Sequence, residues 1–440
     1  RRLGVACAAF VLAAGAVSWR LAEPAPSAPS TSFASSGTLP TASAAVVPRG
    51  SAPDADHGSP GAWRLTSYLA KPAGWTRNTA GPKSGFLSCA AHGACYDASG
   101  NALYVTQDTG RTWTAIQMPG GASFTSALDC PAAGHCLAGG KIEGHDVLLM
   151  TDDGGIHWSY RALPPGDGFV SSLQCQTDTT CHALAGTFPA PHSYMQKPGE
   201  IWLLTTGDAG RNWSRHDFPA ADLIDGLSCW SANDCVATGG TGKNGKGGFY
   251  GTRGIALRTT DGGATWTPGT VPPKLSLITY AGPGDGYVTC PAAGTCYALA
   301  AKEPMKRANF TVVASTDGGA TWHELALPPH TPFPNLSAIS CASARACWTA
   351  GSQGVPVHIP GKGRPGFSSG YSPDSPVILS TADGGATWAK TTFPPGRAAT
   401  GNQFDAMTDV GSVACSSASS CLATGVGNEG AHVPVYTISG

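Results

Sequence analysis

The sequence predicts an all-β protein, a seven-bladed β-propeller, from three observations. A C-x5-C pair occurs seven times, and a Thr/Ser-x-Asp-x-Gly-x-x-Trp motif follows each of the first six pairs. The first cysteines of successive pairs lie between 41 (89 to 130) and 74 (341 to 415) positions apart. Units of this length with about four short strands each are typical of propeller blades. The 59 Gly, 35 Pro and only 12% charged residues favour short strands joined by turns.

The N-terminal part differs in composition from the rest. Residues 1–20 place two arginines before an apolar run that ends at Arg20, which is typical of a secretory signal peptide or of a short membrane anchor. Residues 21–60 consist largely of Pro, Ala, Ser and Thr, and such a segment buries too little apolar surface to offset its ordering entropy. We therefore expect a disordered spacer at 21–60 and a propeller at 61–440.

Each cysteine pair is interpreted as a disulfide that staples two antiparallel strands at the base of a five-residue loop. A metal site would need two more ligands per pair, and no His or Cys recurs at a constant offset to supply them, so no metal is expected. An export signal also favours disulfides. The fifteenth cysteine, Cys7, lies inside the apolar run. The predicted bridges are Cys89-Cys95, Cys130-Cys136, Cys175-Cys181, Cys229-Cys235, Cys290-Cys296, Cys341-Cys347 and Cys415-Cys421.

The spacing within each unit assigns four strands. Strand one ends at the first Cys and strand two starts at the second, while strand three ends at the Thr/Ser of the motif and strand four begins at its Trp. In the seventh unit Ser439 stands where the motif's Thr belongs, so strand four is missing there. The N-terminal segment AGWTRNT (73–79) resembles GATWTPGT (263–270), and we expect it to complete the last blade and close the ring.

The aspartate of the repeated motif is predicted to hold a turn. Its carboxylate can accept hydrogen bonds from nearby backbone N–H groups, and the glycine permits a positive φ. The Trp supplies a large apolar side chain to bury. Six near-equivalent copies around a ring cannot all be one active site, so a catalytic role is rejected. The predicted structural aspartates are Asp108, Asp153, Asp208, Asp261, Asp317 and Asp383.

These six motifs, from Thr106–Trp113 to Thr381–Trp388, resemble the Asp-box, also called the bacterial neuraminidase repeat. The resemblance covers roughly residues 63–440 and implies a propeller of the sialidase-like superfamily. Sialidases carry an Arg-Ile-Pro motif and six blades, and the xyloglucan-cleaving enzymes use two propellers; this chain has no Arg-Ile-Pro and one propeller of seven units. It therefore resembles the non-catalytic photosystem II stability/assembly factor-like and sortilin-like propellers more than true sialidases.

Glycoside hydrolysis normally requires two carboxyl groups that face one bond. Of the six glutamates, Glu143, Glu200, Glu303 and Glu429 fall in connections between strands two and three, and Glu200 and Glu303 are the catalytic candidates. Solvated loop charge is the simpler interpretation. An exo-glycosidase of sialidase-like type remains the alternative function.

The connections between strands two and three are predicted to carry the ligand site, because their lengths vary most and scaffold turns stay constant. They lie on the face opposite the Asp motifs, and their Lys and Arg outnumber their Asp and Glu. Such a face, with interleaved aromatic residues, suits an acidic glycan or a protein. The candidate ligand-binding residues are Tyr194, Lys197, Lys243, Tyr250, Arg253, Lys306, Arg307, Arg364 and Tyr371.

The sequence thus predicts an exported or surface-anchored, non-catalytic propeller that binds a protein or glycan through its strand two–three loops. A net charge of -1 argues against nucleic acid as a partner. We expect no cofactor, a monomer, a bacterial source and an extracellular or cell-surface location, with a possible N-terminal membrane anchor.

Overall fold

The computed structural model describes residues 36–46, 63–70, 86–90, 93–163, 168–187, 200–218, 223–245, 248–277, 287–302, 310–329, 331, 334–353, 375–391, 407–427 and 432–439. These residues form seven antiparallel sheets. The N-terminal strands are β1 (Ser36–Thr38), β2 (Ser43–Val46) and β3 (Arg64–Ala70). The first two blades contain β4 (Phe86–Cys89), β5 (Cys95–Ser99), β6 (Ala102–Thr106) and β7 (Thr114–Gln117), then β8 (Ser123–Ala132), β9 (His135–Ile142), β10 (His145–Thr151) and β11 (Ser159–Ala162).

Five further blades follow in chain order. The third and fourth contain β12 (Gly168–Cys175), β13 (Cys181–Thr187), β14 (Ile201–Thr206) and β15 (Ser214–Asp217), then β16 (Leu223–Cys229), β17 (Cys235–Gly245), β18 (Gly248–Thr259) and β19 (Thr267–Pro268). The fifth contains β20 (Leu275–Ser276), β21 (Val288–Ala292), β22 (Thr295–Lys302), β23 (Phe310–Ser315) and β24 (His323–Glu324). The sixth and seventh contain β25 (Pro334–Cys341), β26 (Cys347–Gln353), β27 (Ser375–Thr381) and β28 (Ala389–Thr391), then β29 (Met407–Ser417), β30 (Ser420–Gly427) and β31 (His432–Ser439).

The first strands of the blades form a closed inner ring. Each of β4, β8, β12, β16, β21, β25 and β29 contacts the corresponding strand of the next blade, and β29 contacts β4. The hydrophobic core is divided among the spaces between neighbouring sheets. One cluster joins Leu87 and Tyr104 of the first blade to Leu422 and Val435 of the seventh. The seven-bladed propeller predicted from the sequence is confirmed.

The seven predicted disulfides are present, with Cα–Cα distances of 3.9 to 4.1 Å. In five blades the two cysteines lie directly opposite each other across the first two strands. The predicted end of strand three is also confirmed, because β6, β10, β14, β18, β23 and β27 all end at the Thr or Ser of the motif. Strand four begins one residue after the Trp, at Thr114 in the first blade and Ser159 in the second.

The ring is closed by an N-terminal strand, as expected, but the predicted segment is wrong. β3 pairs with β31 in the seventh sheet, whereas residues 73–79 lie outside the described residues. Trp63 precedes β3 as Trp113 precedes β7, and Trp63 is buried beside Trp348 and Tyr436. The Trp that matches the motif is therefore Trp63 in GAWR, and Trp75 only resembles it.

Two short strands lie within the segment predicted to be a disordered spacer. β1 pairs with β11 at the outer edge of the second blade, and β2 pairs with β7 at the outer edge of the first. We call residues 36–46 the strap. Exposed sheet edges offer unpaired N–H and C=O groups, so backbone pairing orders this part of the segment although its side chains bury little apolar surface.

Candidate functional site

The strand directions sort the connections onto two opposite faces. The second cysteine of a blade pairs with the last residue of strand three, as Cys136 with Thr151 and Cys347 with Thr381. The cysteine loops and the Thr/Ser-x-Asp motifs therefore share one face, here called the turn face. The connections between strands two and three leave the opposite face, here called the loop face.

The six Asp motifs on the turn face form near-identical turns. In the fifth blade, Asp317 Oδ1 accepts hydrogen bonds from Ser315 Oγ at 2.8 Å and from Thr321 N at 2.9 Å, and its Oδ2 accepts from Thr321 Oγ1 at 2.6 Å. These bonds favour the charged form and lower the pKa of Asp317 to about 2, with the Thr321 hydroxyl as the largest cause. The Ser315 hydroxyl also accepts from Gly319 N at 2.8 Å. The carboxylate is fully engaged in local structure.

Each turn is also bonded to the cysteine loop of its own blade. The N–H of the residue after the Asp donates to the carbonyl of the residue two before the second Cys, as in Gly318 to Gly294 at 2.8 Å. The same bond joins Thr109 to Gly93, Gly154 to Gly134, Ala209 to Thr179, Gly262 to Asn233 and Gly384 to Arg345. The turn face is therefore a uniform scaffold.

The loop face is not uniform. In the first two blades strands two and three are joined by tight hairpins, at Ser99–Ala102 and Ile142–His145. In the fourth blade the ladder between β17 and β18 continues to Gly245 and Gly248, so a hairpin of residues 241–252 extends beyond the paired core of the blade. Residues 188–199, 303–309, 354–374 and 428–431 lie outside the described residues.

The predicted ligand-binding residues divide accordingly. Arg253 is exposed on β18, and Lys243 and Tyr250 are directly paired backbone positions of the fourth-blade hairpin. The remaining candidates fall outside the described residues: Tyr194, Lys197, Lys306, Arg307, Arg364, Tyr371 and the catalytic candidate Glu303. The structure thus brings Lys243 and Tyr250 together in one hairpin.

Glu200, the other catalytic candidate, lies one residue before β14 and is exposed. Its Oε2 accepts from Arg215 Nη2 at 3.1 Å, and Arg215 Nε donates to Asp217 Oδ1 at 2.7 Å. The guanidinium also lies over the Trp202 ring, 4.2 Å from its centroid. Two carboxylates therefore share one arginine at the outer edge of the third blade. Both are about 70% exposed, whereas a general acid needs a water-excluding environment.

Two of the basic residues near the loop face are paired within their own blades. Lys141 Nζ lies 2.7 Å from Asp146 Oδ2, and Lys302 Nζ lies 2.5 Å from Glu324 Oε1. Their charges are offset locally, so the basic character predicted for this face depends on the other Lys and Arg residues.

Five hydrogen bonds between adjacent blades, found among the described residues, were not predicted from the sequence. The side chain just before the first Cys of a blade accepts a hydrogen bond from the first Cys N–H of the next blade. This contact joins Ser88 to Cys130, Asp129 to Cys175, Gln174 to Cys229, Ser228 to Cys290 and Ser340 to Cys415, at 2.5 to 3.2 Å. A polar residue directly before each of these cysteine pairs was the available signal.

Two buried carboxyl groups were also not predicted from the sequence. Burial raises the pKa of Asp97 to about 7, and raises that of Asp129 to about 6 although Cys175 N and Ser88 Oγ bond to it. Asp97 lies on β5, two residues after the second Cys, where most other blades have Ala. Asp129 is the residue that accepts the bond from Cys175 N between the second and third blades. Neither belongs to the connections that form the loop face.

One cluster has a metal-like composition. Ligand atoms of His182, Cys229 and Cys235 lie within 4.8 Å of one another. The two sulfurs are joined in a disulfide, so they are not thiolate ligands. His182 bonds instead to Gln176 Oε1 at 2.9 Å and to Ala232 O at 3.1 Å, and burial lowers its pKa to about 4. His182 directly follows the second Cys of its blade, as Tyr96 does in the first blade, and each side chain bonds to the cysteine loop of the next blade. The role of His182 is therefore structural.

Comparisons with solved structures agree with the fold. The chain is similar to a structure described as YCF48 bound to D1 peptide, with a TM-score of 0.51 and 15% identity over 89% of this chain and 100% of that one. YCF48 from Cyanidioschyzon merolae gives a TM-score of 0.48, 12% identity and coverages of 86% and 99%. A GH74 enzyme from Niastella koreensis gives a TM-score of 0.49 and 13% identity over 82% of this chain and 53% of that one. No protein-family model and no curated protein matches by sequence.

Within the described residues, no helix combines the length and hydropathy needed to cross a membrane.

Proposed function

We propose that this chain is an exported or surface-anchored, non-catalytic propeller that binds a protein or glycan partner through its loop face. The observation that carries the proposal is the difference between the two faces. The turn face has six turns of one geometry, whereas the loop face ranges from tight hairpins to the hairpin of residues 241–252. Binding residues are concentrated on variable connections held by a rigid scaffold.

A protein partner is supported by the peptide-bound state of the similar propeller YCF48. A binding role is favoured over glycoside hydrolysis by the surroundings of Glu200. Its carboxylate is exposed and paired with Arg215, so it lacks the burial that a proton donor to a glycosidic oxygen requires.

The proposal is tested on the full chain with a random-peptide display library, a glycan array and a panel of fluorogenic glycosides. We expect a selected peptide or glycan to bind and no glycoside to be cleaved. The double variant Lys306→Glu/Arg307→Glu should weaken the selected ligand's affinity at least tenfold. Replacement of residues 242–252 by Asn-Gly should have a comparable effect, since Thr241 and Arg253 face each other across the ladder and a two-residue turn can join them.

The matched control is Arg211→Glu/Arg345→Glu, which reverses two exposed charges on the turn face. It should leave affinity unchanged. If it weakens binding as much as the loop-face variants do, the binding site does not lie on the loop face. Glycoside turnover that is lost in Glu200→Gln or Glu303→Gln would replace the binding function by the hydrolytic one.

Export is supported by the seven disulfides, since such bridges form and persist in oxidising compartments. We expect the chain to be recovered outside the cytoplasmic membrane with fourteen cysteines protected from alkylation before reduction. Deletion of residues 1–20 should retain it inside, with those cysteines reactive. Recovery of the deleted form outside the membrane would contradict this role for the segment.

A further inference from the structure

The strap is attached to the propeller by backbone pairing with little side-chain burial. β1 has one partly buried and two exposed residues, and all four residues of β2 are exposed, including Val46 at 80%. Between the strands, Leu39 N donates to Trp158 O and Ala42 N donates to Ile156 O, both at 2.9 Å. The strap therefore follows the outer edge of the second blade, crosses its Asp turn and continues along the outer edge of the first.

One contact gives this attachment sequence selectivity. Gly37 lies directly opposite Tyr160 in the ladder between β1 and β11. A Cβ placed on Gly37 would lie 2.8 Å from both Cε1 and Oη of Tyr160. The tyrosine ring therefore lies over the glycine, and a side chain at position 37 would require the end of the ring to move. The edge of the second blade thus fits an extended strand with glycine at this register without moving Tyr160.

We propose that the outer edges of the first two blades form an acceptor site for an extended strand, and that the strap of a second copy of this chain can occupy it in place of the chain's own. Sheet edges are templates for added strands, and the added strand gains affinity mainly from main-chain hydrogen bonds. The second copy is the occupant because its residues 36–46 match the acceptor in register and glycine position. This inference is independent of the ligand bound by the loop face.

The geometry also sets the conditions for exchange. Residues 47–62 connect the strap to the body of the propeller and give the chain's own strap an effective concentration on the order of millimolar. A strap from another copy must therefore reach a millimolar concentration to compete with the chain's own strap. A much lower concentration is enough when the chain's own strap is displaced. Gly37→Val in the acceptor copy should weaken the docking of its own strap, and the same change in the donor copy should weaken the docking of the donor's strap.

The test is disulfide trapping between two full-length copies that both carry Cys7→Ser. The donor carries Thr38→Cys and the acceptor carries Ser159→Cys, two positions that face each other in the ladder. Opposed positions in antiparallel strands lie close to the distance a disulfide requires. The copies are mixed in a glutathione redox buffer, and the cross-linked dimer is measured on a non-reducing gel.

Gly37→Val should act in opposite directions in the two copies. In the acceptor it should increase the cross-linked dimer at least tenfold, and in the donor it should decrease it at least tenfold. A single chain carrying both Thr38→Cys and Ser159→Cys should close internally and then accept no donor. No dimer at about 1 mM protein, or a yield that does not depend on which copy carries Gly37→Val, would overturn the proposal.

Discussion

Asp97 is a fully buried carboxyl group on the first blade, and Thr424 of the seventh blade is the polar neighbour that partly offsets its burial. Burial raises the pKa of Asp97 to about 7 from the unfolded value near 4. Between these values the folded protein holds a proton that the unfolded chain has released. Stability therefore falls as pH rises from about 4 to about 7, and the loss is complete above 7.

Asp97→Asn replaces the protonated form by a neutral side chain of the same shape and removes this pH dependence. We expect the variant and the wild type to be similar in stability at pH 4, and the variant to be more stable at pH 8 by up to about 4 kcal/mol. Guanidinium unfolding at several pH values measures the difference. If the free energies of unfolding of the variant and the wild type differ by the same amount at pH 4 and pH 8, Asp97 does not titrate in this range.

Asp317 has the opposite linkage. Its pKa is lowered to about 2 by the bonds from Thr321 and Ser315. Its contribution to the free energy of unfolding is therefore present above pH 4 and is lost as pH falls from about 4 to about 2. Asp317→Ala should cost about 1 kcal/mol at pH 7, as expected for exposed hydrogen bonds to a charged group, and much less at pH 2. Asp178→Asn, an exposed position on the same face, is the control and should leave both values unchanged.

At the scale of the turn, the two consecutive glycines do different work. Gly384 and Gly385 both have positive φ, of 79° and 86°. A Cβ on Gly385 would lie 2.5 Å from Leu325 Cδ1 of the preceding blade, whereas a Cβ on Gly384 would make only ordinary contacts at 3.4 Å. The second glycine is therefore where each turn packs against the neighbouring sheet.

The pair Gly384→Ala and Gly385→Ala separates backbone strain from packing. Gly384→Ala should cost about 1 kcal/mol, from the left-handed backbone alone. Gly385→Ala should cost an additional 1–3 kcal/mol or so, because it also overpacks the contact with Leu325. Equal losses of unfolding free energy in the two variants would mean that the contact between blades relaxes without cost.

Much of each blade could be predicted from the sequence because the motifs that define its strands are formed by residues close together in the chain. The cysteine spacing and the Asp motif fix where strands end, and a five-residue loop or a tight turn determines its own geometry. The closing strand was misplaced because two Trp-containing segments resemble the motif and only pairing with β31 distinguishes them. The strap was missed because backbone pairing leaves no hydrophobic pattern in a segment rich in Ser, Ala and Thr.

The closing strand gives a direct test at this scale. Trp63 is 1% exposed and packs with residues of the sixth and seventh blades. Trp63→Ala should therefore cost about 3–5 kcal/mol of unfolding free energy, as for other large buried aromatic side chains. Trp75→Ala is the comparison variant, and a larger loss there than at position 63 would place the closing strand at residues 73–79 instead.

At the scale of the whole molecule, the propeller is held together by contacts between blades that no single repeat reveals. The apolar clusters lie between neighbouring sheets, and hydrogen bonds such as that from Cys130 N to Ser88 Oγ link five pairs of adjacent blades. The candidate loop face could be predicted only as a location. Its chemistry depends on side chains from several blades, whose approach is determined by the closed ring and not by sequence neighbours.

Because the blades share their cores, we expect the protein to unfold in one cooperative transition even though its disulfides are local. In the chain-entropy model each short-loop bridge contributes roughly 2 kcal/mol. Replacing Cys95 and its partner Cys89 by Ala should lower the free energy of unfolding by about that amount, and so should replacing Cys235 with its partner Cys229. The two bridges lie in the first and fourth blades and share no neighbours, so the losses should add.

Guanidinium unfolding followed by Trp fluorescence and by far-UV circular dichroism measures both expectations. The two signals should coincide in each variant, and the combined variant should lose about 4 kcal/mol, the sum of the single losses. If one signal changes before the other, single blades unfold independently, and the clusters between sheets do not couple them. A loss well beyond the sum would instead show that the bridges cooperate around the closed ring.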